Sequence, residues 1–365
     1  MNLGPNIEPR GPRHVLWEGT EYLFFGGNDY HRLAFHPEVV EAACEAAAKW
    51  GLNLSGSRVT SANHPLYEAL EIALARYLDA EAAVVFSAGY MSNSVLLQAI
   101  GDRYTHLLID ANAHASLVEA ARTVSLPAIA YDHLSPESFA QALGNLPAGA
   151  APLAMTDGVF ASTGEVAPLG QFKKFGVDIL VDDAHAMGTL GENGKGSWSE
   201  CGLGRQGVFQ TGTLSKGLGG FGGVIAADQD TIERIKTRSS AFIGSTPMPV
   251  PLAAAALKSI EILEREPHRV QLLRSRSVTV KRELVSMGFA LAESPSPICS
   301  VTFLDGSKNR RLYEDLKQAL IFPNFVDYPG GPPGGHFRFT LSSAHLDEDI
   351  ERLLAVVRQV AEEFR

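Results

Sequence analysis

Cysteine is scarce: Cys44, Cys201 and Cys299 are the only three in 365 residues. An odd, scattered set excludes a disulfide framework or a cysteine-based zinc site, and it predicts reduced thiols packed in the core of a cytoplasmic protein. Long apolar runs are missing too. The longest, such as 253–257 and 82–86, fall far short of a bilayer-spanning helix, so no membrane segment is expected. The first thirteen residues place Pro5, Pro9 and Pro12 among charges and lack the apolar centre of an export signal. Positive charge is not in excess either. Lys plus Arg number 31 against 41 for Asp plus Glu, a net charge of −10, which disfavours a polyanion binder and makes nucleic acid an unexpected partner. There is no internal repeat and no low-complexity tract.

What is present is the makeup of a folded chain, with 45% hydrophobic and 20% charged residues, 35 glycines and 20 prolines, enough to bury a substantial core. From about 36 to 245, short β-branched runs alternate with helix-like stretches. That pattern predicts an α/β fold with a mainly parallel sheet covered on both faces. The strands expected are 82–87, 105–110, 128–131, 153–157, 177–182, 208–213 and 222–226, mostly continuous apolar runs of the kind buried strands carry. Several end in a polar residue: Ser87, Asp110, Asp157, Asp182 and Thr213. Ligands of open α/β sheets collect beyond the carboxyl ends of strands, so chemistry is sought there. After the proline-punctuated stretch 246–251, one long helical pattern runs from about 252 to 287. Strand 298–303, helix 310–320, strand 337–341 and a closing helix 346–364 follow. The division expected is an N-terminal segment 1–35 with a hairpin turning near Glu18-Gly19, a large domain 36–250 and a smaller α/β domain 251–365.

Four stretches carry candidate chemistry. Gln210-Thr-Gly-Thr-Leu-Ser-Lys-Gly-Leu-Gly-Gly-Phe-Gly-Gly223 sets one lysine, Lys216, among the hydroxyls of Thr211, Thr213 and Ser215 and a run of glycines. Hydroxyls and open backbone amides suit a phosphate. A lysine held in a crowded, partly apolar turn can lose its proton and attack a carbonyl, so together they suit a phosphate-bearing aldehyde. The plain alternative is a solvated lysine in a glycine-rich loop. Gly217, Gly219 and Gly222 also spell the dinucleotide fingerprint, but that needs a helix opening on them and 222–227 reads as a strand. Upstream, Ile179-Leu-Val-Asp-Asp-Ala-His185 is a buried strand ending in Asp182, Asp183 and His185. This is an ordinary strand end, part of a metal site, or a carboxylate placed to pair with the pyridine nitrogen of pyridoxal phosphate. With no matching cluster elsewhere, no metal is expected. The turn Phe86-Ser-Ala-Gly-Tyr-Met-Ser-Asn93 opens a helix whose amides and dipole favour an anion, although such residues also serve as plain caps. His114, in Asp110-Ala-Asn-Ala-His-Ala-Ser116, sits at a second strand-to-helix junction, where an imidazole can stack on a pyridine ring.

In this order, Asn28-Asp-Tyr30, Gly56-Ser-Arg58 with His64 and Leu70-Glu71, Phe86-Ser-Ala-Gly-Tyr90, His114-Ala-Ser116, Asp157-Gly-Val-Phe160, Val181-Asp-Asp-Ala-His185, Gly212-Thr-Leu-Ser-Lys-Gly-Leu-Gly219 and Phe337-Arg-Phe-Thr-Leu-Ser-Ser-Ala-His345 form an ordered set. Over about residues 23–360 this set resembles the α-oxoamine synthase family of fold-type I pyridoxal-phosphate enzymes. The resemblance implies a seven-stranded, mainly parallel sheet in the large domain, and a homodimer with shared active sites. It implies that Lys216 holds the cofactor covalently, Asp182 pairs with the pyridine nitrogen, His185 bonds the phenolic oxygen and His114 stacks on the ring. The phosphate falls to Ala88, Gly89, Tyr90 and Thr213, with Ser245 and Thr246 reaching in from a second subunit. Arg338 binds the amino-acid carboxylate, with Asn28 nearby. The implied reaction condenses an amino acid with an acyl-CoA thioester, releasing CoA and usually carbon dioxide, to give an α-amino ketone. An aminotransferase, decarboxylase or aldolase could use the same Lys216 and Asp182, and a non-catalytic descendant is a third reading.

Departures from the family pattern mark where specificity is expected to differ. His31 and Arg32 stand where many members have Leu-Gly, either on the substrate side or in a solvated turn. Ala161 replaces a serine that usually supports the ring oxygen, with Ser162 beside it expected to point elsewhere along a strand. Thr60-Ser-Ala62 replaces Ser-Gly-Thr. The N-terminal extension that often adds a substrate-binding arginine is short, leaving Arg10 and Arg13 as substitutes.

Overall fold

The computed structural model describes residues 4–327 and 331–362. Three short antiparallel strands open the chain: β1 (Glu8–Arg10), β2 (His14–Trp17) and β3 (Thr20–Leu23). The β2–β3 turn falls at Glu18 and Gly19, whose φ values of 50° and 78° match the primed turns that suit hairpin twist. β1 was not anticipated. The segment packs on the smaller domain, with Leu23, Phe25 and Tyr30 sharing a buried cluster with Leu273, Phe337, Phe339 and Val357.

Seven strands then build the central sheet: β4 (Ala82–Phe86), β5 (His106–Asp110), β6 (Ala128–Tyr131), β7 (Pro152–Asp157), β8 (Asp178–Asp182), β9 (Val208–Thr213) and β10 (Gly223–Ala227). Their spatial order is β4-β10-β9-β8-β7-β5-β6, and only β10 runs against its neighbours. The seven lie where the apolar runs predicted them. Helices cover both faces: Val85 and Val224 face a cluster with Leu70, Ala253 and Ile260, while Val84 and Ile225 face one with Leu96, Leu117 and Ile235. Double coverage explains why most of the strands, such as β4, β8 and β10, read as apolar stretches.

The glycine run after β9 is a strand-to-strand return. Leu214 and Gly222 pair through the Leu214 N–H and Gly222 carbonyl at 2.9 Å, and β10 follows directly. No helix opens there, so the dinucleotide reading has no structural support.

The smaller domain is an antiparallel sheet of β11 (Ile298–Val301), β12 (Phe325–Val326) and β13 (His336–Thr340), in the order β11-β13-β12, with helices Gly306–Gln318 and Asp347–Glu362 against it. The last residues of the expected closing helix lie outside the described residues. The single helix expected over 252–287 is two, Val250–Arg265 and His268–Ser286, because Pro267 removes a donor and cannot continue the preceding turn. The first packs among the large sheet's helices and the second reaches the smaller domain's core. The three thiols are free. Cys299 is buried, but Cys44 is exposed on helix Pro37–Trp50, against the expected core packing. Among the described residues no helix is long and apolar enough to cross a membrane.

Candidate functional site

A cavity of about 210 Å³ opens where β7, β8 and β9 end beside the turn after β4, and Gly89, Tyr90, His114, Asp157, Asp182, His185, Thr213 and Lys216 are among its lining residues. Parallel pairing puts Asp157 and Asp182 side by side at the ends of β7 and β8. Asp182 accepts from Asn93 Nδ2 at Oδ2 at 2.7 Å, from the Ala184 N–H at Oδ1 at 3.0 Å and, more weakly, from Ser116 Oγ at Oδ2 at 3.5 Å. Asn93 is itself fixed, accepting from Thr211 Oγ1 at 2.6 Å and donating to Ser116 Oγ at 3.0 Å. Asp157 accepts the His114 N–H at 2.8 Å. Burial, reinforced by the charge of Asp182, pushes the Asp157 carboxyl well above the ordinary carboxylate range.

Lys216 reaches this pair from the loop after β9. Burial, opposed by Asp182 and Asp157 and assisted by Arg338, lowers its ammonium to about 8. Its Nζ lies 2.8 Å from His185 Nε2, and His185 Nδ1 lies 2.5 Å from Tyr30 Oη. Burial drives the His185 imidazole well below its ordinary range, and the nearby charges of Lys216 and Arg338 push the same way. It is therefore a neutral ring whose tautomer is set by Tyr30 and Lys216. Burial raises Tyr30 to about 12, so its hydroxyl stays protonated. His114 is also lowered by burial, and it meets the Tyr90 ring edge-on at 6.0 Å.

These residues fit pyridoxal phosphate. Among the described residues no guanidinium pairs with either buried carboxylate, which suits a protonated ring nitrogen at Asp182. Helix Ser92–Ile100 begins without a side-chain cap directly after the Gly89–Met91 turn, an arrangement suited to an anion. A Cβ at Gly89 would collide with the Thr213 side chain, so glycine lets the turn close on the Thr213 and Ser215 hydroxyls, themselves 2.7 Å apart.

Arg338 and Asn28 meet beside the cavity: Arg338 Nη2 donates to Asn28 Oδ1 at 3.0 Å, Nε to the Ala161 carbonyl at 2.6 Å and Nη1 to Thr340 Oγ1 at 3.2 Å. Ala88 lies one residue before the cavity's Gly89. Ser245 and Thr246 follow helix Ser240–Ile243; the Ser245 hydroxyl donates to the Phe242 carbonyl at 3.2 Å, Thr246 is exposed, and neither lines this cavity.

Several expectations are corrected. His31 and Arg32 are neither solvated nor at the cavity. His31 is buried, with Nε2 2.6 Å from the Gly188 carbonyl and Nδ1 3.0 Å from Ser343 Oγ, and burial lowers it to about 4. Arg32 donates to the Phe24 and Gly26 carbonyls, each at 3.1 Å. Ser162 sits in a turn rather than on a strand. Arg13 pairs with Asp349 at 2.6 Å and Arg10 with Glu8 at 3.3 Å, and neither lines the cavity. Asp183 turns away from Asp182, accepting from Ser197 and from Gln210 Nε2 at 2.7 Å. The Gly56-Ser-Arg58 motif is structural: Arg58 grips Glu71, and the two together hold the N–H and carbonyl of Val85 in β4. Asn93 and Tyr30 stood in the motif stretches without being singled out as site residues, and Asp157 was marked only as a polar strand end.

A sequence model of the aminotransferase class I and II family matches residues 20–357. The 8-amino-7-oxononanoate synthase of Chromohalobacter salexigens is 33% identical, over 94% of this chain and 90% of the relative. The serine palmitoyltransferase of Sphingobacterium spiritivorum is 30% identical, over 97% and 91%. Among solved structures, serine palmitoyltransferase from S. paucimobilis with a bound PLP–myriocin aldimine superimposes with a TM-score of 0.90 at 27% identity, covering 98% of this chain and 92% of that one. The Sphingomonas wittichii serine palmitoyltransferase gives a TM-score of 0.89 at 29% identity, covering 97% and 90%. With the family model spanning nearly the whole chain and such relatives aligned along it, the protein belongs to the aminotransferase class I and II family and, within it, to the α-oxoamine synthases, the pyridoxal-phosphate-dependent acyltransferases.

Proposed function

We propose that the protein joins an amino acid to the acyl group of an acyl-CoA thioester, releasing CoA and the amino-acid carboxylate as carbon dioxide, to give an α-amino ketone, as its 8-amino-7-oxononanoate synthase relatives suggest. The observation that carries this reading is the convergence of Lys216, His185, Asp182 and His114 on one cavity, with Arg338 and Asn28 beside it. Pyridoxal phosphate bound there supplies an electron sink for charge developing at the amino acid's Cα. Lys216 holds the cofactor and, once displaced by the incoming amine, takes up and returns the Cα proton at Nζ; an amine that titrates near 8 suits both roles. Asp182, oriented by Asn93 and the Ala184 N–H, keeps a proton on the ring nitrogen. His185, steadied by Tyr30, bonds the ring's phenolic oxygen, and His114 covers one ring face. The Ala88-Gly89-Tyr90 turn and Thr213 hold the phosphate. Ser245 and Thr246 complete it from the second subunit of a homodimer. Arg338, fixed by Ala161 and Asn28, still offers outer N–H groups to the substrate carboxylate.

The test is release of free CoA thiol by the holoenzyme with glycine, alanine or serine and acyl-CoAs of graded chain length. Release that needs both substrates and vanishes in Lys216→Ala supports the proposal. Transfer of the amino group to a keto acid, without CoA release from any donor, would replace it with the aminotransferase reading.

A further inference from the structure

Arg338 is aimed partly by a backbone carbonyl, that of Ala161. Alanine offers no hydroxyl there, so the turn between β7 and helix Leu169–Lys173 acts on Arg338 through its main chain, and a carbonyl is only as well placed as the turn that bears it. This turn closes on itself through two bonds of 2.9 Å, Phe160 N–H to the Glu165 carbonyl and Gly164 N–H to the Phe160 carbonyl. On the large-domain side His133 bridges Asp110 at 2.8 Å and Glu165 at 3.3 Å.

On the other side stands a buried lysine that the mechanism does not use. Lys281, on helix His268–Ser286, is 2% exposed. Its Nζ donates to Ser294 Oγ at 2.7 Å and Ser296 Oγ at 3.0 Å, and both hydroxyls donate onward to the Gly164 carbonyl, at 2.9 and 2.5 Å. The direction of these bonds is forced. An ammonium only donates, so each serine oxygen must accept from it and is left with its own hydrogen for Gly164. Without the lysine the two hydroxyls, 3.3 Å apart, can satisfy each other, and one hydrogen is withdrawn from the carbonyl. Burying an amine is costly, as its lowering to about 8 by desolvation shows, and an apolar side chain would fill the helix face at less cost.

We propose that Lys281 is a positioning residue for amino-acid recognition: by directing the Ser294 and Ser296 hydroxyls onto the Gly164 carbonyl it fixes the Ala161 carbonyl and, through it, the guanidinium plane of Arg338. The inference rests on the reading of Arg338 as the carboxylate site, and the experiment separates the two.

Holoenzymes of wild type, Lys281→Met, Ser296→Ala and Arg338→Lys are titrated with glycine, alanine and serine, following the cofactor's absorbance, and their KM values for acyl-CoA and melting temperatures are measured. Lys281→Met and Ser296→Ala should weaken amino-acid binding about 5–10-fold while acyl-CoA KM and cofactor affinity stay within about twofold, the signature of misaimed ground-state binding. Ser296→Ala, which removes a single oxygen, decides the matter if Lys281→Met does not fold. Lower melting temperatures with unchanged amino-acid binding would show a merely structural lysine and overturn the proposal. Unchanged binding in Arg338→Lys would instead remove the Arg338 reading, and the role of Lys281 with it.

Discussion

Asn93 offers the sharpest prediction, because one buried side chain makes three bonds and only one of them touches the cofactor's proposed partner. Asn93→Ala removes the 2.7 Å bond to Asp182, the 3.0 Å bond to Ser116 and the 2.6 Å bond from Thr211. A bond to a carboxylate contributes about 1.5–3 kcal/mol and each neutral bond about 0.5–1.5 kcal/mol, so folding stability should fall by about 2–4 kcal/mol once water enters the space. Only the Asp182 component acts on the pyridine nitrogen, so cofactor affinity should fall about 10–100-fold, at about 1.4 kcal/mol per tenfold. Asn93→Asp keeps the volume but sets a further carboxylate, besides Asp157, against Asp182, and such neighbouring groups share protons. It should therefore reduce kcat more than Asn93→Ala despite being the closer isostere. Absorbance titration with pyridoxal phosphate, thermal melting and CoA-release rates read all three effects. An Asn93→Ala protein with wild-type cofactor affinity, or an Asn93→Asp protein as active as wild type, would refute the reasoning.

Three further outcomes are expected. Gly89→Ala drives a methyl into the Thr213 side chain, and overpacking of this kind costs about 1–3 kcal/mol; phosphate-free pyridoxal should be affected less than pyridoxal phosphate, and equal losses for both would contradict the phosphate assignment. Tyr30→Phe leaves His185 Nδ1 without its 2.5 Å partner and should lower kcat/KM about tenfold, the effect of one lost buried bond of about 1.4 kcal/mol, with little change in melting temperature; full activity would show that Tyr30 does not fix the ring. Burial works against protonation of His133, but Asp110 and Glu165 outweigh it and raise the imidazole from 6.5 to about 9. Its stabilising contribution is thus present in full below about pH 6.5 and lost as pH rises through about 9, and for a side chain still partly exposed it amounts to about 1–3 kcal/mol. The unfolding free-energy gap between wild type and His133→Gln should shrink by that amount between about pH 6 and about pH 9.5, and a gap independent of pH would show that the ion pairs do not form.

Strands were legible because burial on both faces writes itself into the chain as apolar runs: β4 and β8, buried along almost their whole length, fall within the residues the sequence indicated. Lys216, Asp182 and His114 were legible for a related reason, since each stands at or just after a strand end where an α/β sheet exposes its chemistry. Asn93 was not, because its role depends on which strands lie beneath its helix, and the order β10-β9-β8 is a long-range fact. His31 and Arg32 misled for the same cause: a polar pair in a turn looks solvated until the N-terminal segment is laid against Gly188 and Ser343. The break at Pro267 was written locally, but apolar periodicity on both sides of it outweighed a single residue.

Two buried lysines in this chain have ammonium groups lowered to about 8, Lys216 at the sheet's carboxyl edge and Lys281 in the smaller domain, so chemistry at an amine does not by itself say which one holds the cofactor. Reduction of the holoenzyme with borohydride, followed by digestion and mass spectrometry, distinguishes them directly. The reduced cofactor is expected on the peptide carrying Lys216 and not on that carrying Lys281. Label on Lys281, or on no lysine in a protein that still releases CoA from its substrates, would overturn the assignment of Lys216 as the cofactor's anchor.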